Sequence, residues 1–156
     1  MRYVASFFIL MSLFAPAAVF ADPAIGVTSA WISEAPPMLK VHAGYLVIEN
    51  HADDDVILLS ASSNAYERIE FHFSDIIDGM ASMKIQESIT IPAGTRFEFS
   101  PGGYHLMLIN NHNPLRAGDH VSVSLEFNRK ITIDINMTVR KPGNYQQQQQ
   151  HHHHKH

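Results

Sequence analysis

Val121-Ser122-Val123-Ser124-Leu125-Glu126-Phe127 is followed by three polar residues and then by Ile131-Thr132-Ile133-Asp134-Ile135-Asn136-Met137-Thr138-Val139. Apolar and polar residues alternate through both segments. A strict period of two is the pattern of a strand with one face buried. Val121, Val123, Leu125 and Phe127 form one apolar face. Ile131, Ile133, Ile135, Met137 and Val139 form another, opposite Thr132, Asp134, Asn136 and Thr138. Working outward, residues 43–49 read as a strand, and Val56-Ile57-Leu58-Leu59 as a second that is apolar on both faces, with a polar turn over residues 50–55 between them. In residues 67–73, Ile69, Phe71 and Phe73 lie opposite Arg68, Glu70 and His72, and residues 103–110 alternate again. Pro92-Ala93-Gly94 and Pro101-Gly102-Gly103 punctuate the strands between. No long segment carries a helical period and no internal repeat is present. Many short strands separated by turn signals predict an all-β sandwich or barrel.

The two ends differ from this body. Arg2, an apolar run over residues 4–14 and small residues before Ala21 have the form of a secretory signal peptide over residues 1–21. The run is too short to span a bilayer, and no later apolar segment follows, so the chain is not read as an integral membrane protein. The body occupies residues 22–142. Residues 143–156 form a polar tail with a glutamine run and then His151, His152, His153, His154 and His156 around Lys155. It has nothing apolar to bury and is expected to be disordered. Its histidines would bind Cu(II) with little selectivity. Extended, the tail could reach about 45 Å.

Composition narrows the chemistry. The formal charge of −4 argues against nucleic acid as a partner. There is no cysteine, so no thiol nucleophile, zinc thiolate site, blue-copper centre or lipid-acceptor cysteine is available. Nucleophile-elbow, zinc-protease and phosphate-loop motifs are missing too, and the chain is read as a binding protein rather than an enzyme. What stands out instead is 11 His and 7 Met. His105 and Met107 are two apart on one strand, so they leave the same face about 7 Å apart. His72 lies on the polar face of its own strand, free to meet something outside the core, and Met83 follows the Asp78-Gly79 turn. Two thioethers and two imidazoles make a soft set suited to Cu(I), and in an oxidising compartment methionine avoids the oxidation that would threaten cysteine. The imidazoles must be unprotonated to bind, so copper should leave below about pH 6. A lone methionine is ordinarily a core gap-filler. That is the reading for Met137, and Met83 taken singly would be read the same way. Met38 is placed in a loop near the core, and His42, His51, His112 and His120 are read as merely exposed.

The four residues fall into a recognisable pattern. His72, ten residues, Met83, twenty-one residues, then His105-Leu106-Met107 resembles the signature of the periplasmic copper chaperone family PCuAC. Ala30-Trp31, Pro36-Pro37, Gly44-Tyr45-Leu46, residues 65–72, residues 101–108 and residues 114–119 also resemble the family. The resemblance implies a cupredoxin-like Greek-key β-sandwich with an exposed Cu(I) site on His72, Met83, His105 and Met107. It further implies a periplasmic location and delivery of copper toward cytochrome c oxidase assembly, with an oxidase subunit or a Sco-type chaperone as acceptor. Where many members carry another methionine just after the first histidine, Phe73 and Ser74 stand here; Met80 is a spare thioether nearby. A copper buffer for metal tolerance is the alternative role. A monomer is expected without metal.

Overall fold

The computed structural model describes residues 24–143. Ten strands account for most of them: β1 Ile25–Ser33, β2 Val41–Asn50, β3 Val56–Ser62, β4 Tyr66–Ile77, β5 Met80–Gln86, β6 Ile89–Ile91, β7 Arg96–Phe99, β8 Tyr104–Asn111, β9 His120–Phe127 and β10 Ile131–Arg140. The leader (1–21) and the tail histidines His151, His152, His153, His154 and His156 lie outside the described residues. Among the described residues no helix is long and apolar enough to cross a membrane.

The alternating pair at the end of the body forms a hairpin, β9 against β10, in unbroken register from Phe127–Ile131 to His120–Thr138. All four apolar residues of β9 are buried, as are Met137 and Val139 of β10. The strands then follow one hydrogen-bonded path, β5-β4-β8-β2-β1-β10-β9-β3-β6, with β7 joined to β2. β1 runs parallel to β10, where the first and last strands meet mid-path, and every other pairing is antiparallel. The path curls over on itself. Phe71, Leu106 and Leu108 from one arm pack into the same core as Val56, Leu58, Ile89, Ile91 and Leu125 from the other. The fold is the all-β, cupredoxin-like sandwich expected from the sequence.

Gly44 sets the spacing of this core beside β8. A Cβ there would stand 2.8 Å from Leu108 Cδ1 and 3.3 Å from both Leu106 Cβ and Met137 Cε, so only a glycine fits without displacing its neighbours. Its partner in the ladder is Leu106, between His105 and Met107.

Three sequence expectations are corrected. Leu59 is exposed, because a register shift between Leu58 and Ser60 interrupts the pairing with β9. Met38 stands almost fully exposed in its proline loop rather than near the core. His42 is buried, at 4% exposure, because alternation along β2 puts it on the same face as Gly44 and Leu46.

Candidate metal centre

Strands β5, β4 and β8 lie side by side and carry the four residues singled out by the sequence. His72 of β4 is directly opposite His105 of β8, and Glu70 is opposite Met107. Across the other edge, Ser74 is opposite Met83 of β5, and His72 is opposite Ile85. Directly opposed residues share a face, as do residues two apart on one strand. His72, Met83, His105 and Met107 therefore all belong to one face of this three-stranded region, the face turned away from Phe71 and Leu106. Met80, opposite Ile77, falls on the other face and is not part of the set.

The histidines form the centre of the arrangement. Their ring centroids are 5.7 Å apart with the planes inclined by 42°. Metal–nitrogen bonds run about 2 Å, so one ion can meet a nitrogen from each ring. Contrary to the expectation of a free imidazole and an exposed site, both rings are sunk, His72 at 6% and His105 at 8% exposure. Alternation reports which face a residue occupies, not how deeply its neighbours cover it. Met107 is half-buried and Met83 is 56% exposed, so the solvent-facing side of the set is its sulfurs.

Each imidazole has one nitrogen engaged. His72 Nε2 lies 2.9 Å from Glu70 Oε2, and His105 Nδ1 lies 3.1 Å from the Gly103 carbonyl oxygen. Arg68 Nε donates to the other Glu70 oxygen at 2.8 Å. The Arg68 guanidinium, and after it the His72 ring, hold the Glu70 carboxyl below its ordinary range. His72 Nδ1 is buried with no hydrogen-bond partner. Leaving a buried polar atom unsatisfied costs about 1–3 kcal/mol. A coordinated ion would relieve that cost, and on this ground the residues present fit a metal. Among the described residues no three His, Asp or Glu side chains gather into a ligand set. A full shell at the histidine pair would accordingly draw on the thioethers, which favours a soft ion over zinc, calcium or magnesium.

The thioethers approach from opposite corners. Met83 is two strands and four ladder positions away from Met107. On a flat ladder that separates their Cα atoms by about 17 Å, further than two methionine side chains meeting on one ion can span. The part of β4 beyond Ser74 pairs with β5 alone, and the two strands form a ribbon closed by Asp78 and Gly79, both at positive φ. A two-stranded ribbon bends more readily than a sheet. Bringing both sulfurs to one ion requires this ribbon to bend toward β8.

Sequence reasoning placed Glu70 on the correct face and gave it no role. The signal was available: a carboxylate two residues before a candidate ligand on the same strand face.

Residues 25–139 match the profile of the family described as "Putative lipoprotein LpqE-like". The chain belongs to that family. A protein of Leifsonia xyli subsp. xyli described as "Putative lipoprotein Lxx21020" is 29% identical over 117 residues, covering 74% of this chain and 69% of the relative. Cysteine, the residue acylated in lipoproteins, is absent from this sequence. Among solved structures, the apo form of DR1885 from Deinococcus radiodurans is 26% identical with a TM-score of 0.61, covering 92% of this chain and 98% of that one. The Cu(I) form of DR1885 has the same identity and TM-score over 81% and 83% of the two chains. The copper-bound PCuAC domain from PmoF2 shares the fold at a TM-score of 0.66 and 21% identity, over 79% of this chain and 97% of that domain. The resemblance to PCuAC domains read from the sequence is thus borne out.

Proposed function

We propose that this LpqE-like chain is an exported copper carrier that holds one Cu(I) ion on His72, Met83, His105 and Met107 and releases it to an acceptor. The observation that carries this reading is the placement of His72 directly opposite His105, with both methionines on the same face. The likeness to copper-bound PCuAC domains supports the choice of ion. The sunken imidazoles would give a fixed platform and the more accessible sulfurs a side on which an acceptor exchanges ligands one at a time. The acceptor class is an oxidase subunit or a Sco-type chaperone in cytochrome c oxidase assembly. Residues 1–21 serve as the export signal to the periplasm, residues 22–142 as the carrier domain, and the carrier is a monomer without metal. Residues 143–156 act as a Cu(II)-binding arm through His151, His152, His153, His154 and His156.

His105→Ala and Met107→Ala should each abolish tight Cu(I) binding while the far-UV circular dichroism stays unchanged. Retained tight binding in either variant overturns the ligand assignment. The five tail histidines favour one second reading, a buffer against excess copper. Loss of a delivery protein lowers oxidase activity when copper is scarce, whereas loss of a buffer lowers growth when copper is in excess.

A further inference from the structure

We propose that Glu70 is a positioning residue that commits His72 to present Nδ1 to the ion, while the Gly103 carbonyl commits His105 to present Nε2 to the same ion. The inference rests on the copper-carrier reading and says how that site is prepared.

The assignment follows from what each neighbour can accept. An ionised carboxylate only accepts hydrogen bonds. His72 Nε2, at 2.9 Å from Glu70 Oε2, therefore carries the hydrogen, and in the neutral ring Nδ1 holds the lone pair. That Nδ1 is buried without a partner, which is the state of a ligand atom awaiting an ion. At His105 the polarity reverses. The Gly103 carbonyl, at 3.1 Å, can only accept, so His105 Nδ1 carries the hydrogen and Nε2 is left to bind.

The two anchors differ in kind. His105 is held by a backbone carbonyl two residues before it, which no side-chain substitution removes. His72 is held by Glu70 alone, and Glu70 is steadied through its second oxygen by Arg68 at 2.8 Å. Without the carboxylate, the His72 ring has two tautomers and two orientations open to it, and copper must select one. Outer partners of ligand histidines commonly contribute 10–100-fold to metal affinity by this means.

Histidine-ring nitrogen NMR on the full mature protein tests this directly. In the metal-free protein His72 should appear as the Nε2–H tautomer and His105 as the Nδ1–H tautomer. One equivalent of Cu(I), added without oxygen, should shift His72 Nδ1 and His105 Nε2. A shift at His72 Nε2 instead, with Glu70 displaced, overturns the proposal and leaves the copper site standing. No response at either ring overturns both. Glu70→Ala should bind Cu(I) about 10–100-fold more weakly, and Glu70→Gln, whose amide oxygen still accepts from Nε2–H, should recover most of that loss. Equal affinity in Glu70→Ala and the natural protein contradicts the positioning role.

Discussion

Asn50→Ala is predicted to cost about 3 kcal/mol of stability. Asn50 closes β2 and its side chain is 1% exposed. Its Nδ2 donates to the carbonyl oxygens of Asp54 at 2.9 Å, Ile91 at 3.1 Å and Pro92 at 3.2 Å. Its Oδ1 accepts from the Ala52 N–H at 3.1 Å. Two amide hydrogens serve three carbonyls, so the side chain amounts to three hydrogen bonds. Each is worth about 1 kcal/mol net. β2 and β6 lie far apart on the sheet path, so this one side chain ties the two arms of the sandwich together. For a body of this size the loss corresponds to a melting temperature lower by about 10–15 °C. Thermal and urea unfolding of the metal-free protein, followed by circular dichroism, measures it. Asn50→Asp should lose a comparable amount, because a carboxylate would face the same three carbonyls. A loss below about 1 kcal/mol in Asn50→Ala would mean that water replaces the amide at no cost and would refute the reasoning.

Burial holds the His42 imidazole below its ordinary value of 6.5, so the unfolded chain binds that proton more readily than the folded one. The stability contributed by neutral His42 should be complete above pH 6.5 and decline as pH falls below it, and His42→Phe should flatten that decline in urea titrations at several pH values. Met83→Ala should leave the metal-free melting temperature nearly unchanged and weaken Cu(I) binding. Met137→Ala, at a fully buried position, should cost about 2–5 kcal/mol and leave the affinity of the folded protein unchanged. Cu(I) should slow amide exchange over residues 75–83, where β4 and β5 pair only with each other; exchange unaffected by metal would mean that the ribbon does not bend onto the ion.

Legibility in the sequence followed burial. β9 and β10 were read nearly to the residue, because one face of each packs on the core and its alternation is the direct imprint of that burial. β5 carries no such imprint. Met83 and Ile85 are exposed alongside Met80, and nothing selects apolar from polar positions along the strand. β6 and β7 are three and four residues long, too short for any period to show. At the site, spacing put His105 and Met107 on one face and the resemblance supplied the set of four, while the face that Met83 and His72 share with them follows only from the strand pairing. Depth was hidden, because His72 packs beside the His105 ring, which reaches it from β8 and leaves no trace in the pattern of its own strand. His42 was misread for a related reason. A polar residue on a core face looks, in sequence, like a break in the pattern, and its orphaned Nδ1 beside the unpartnered Tyr66 hydroxyl appears only once the strands are assembled.

A competitive Cu(I) titration without oxygen, on the mature protein and on a version ending at Pro142, tests the central claim most directly. The account predicts one tight equivalent in both, with sulfur and nitrogen neighbours at the copper by X-ray absorption. Tight binding that disappears with residues 143–156 would contradict it and would place the working site on the tail histidines instead.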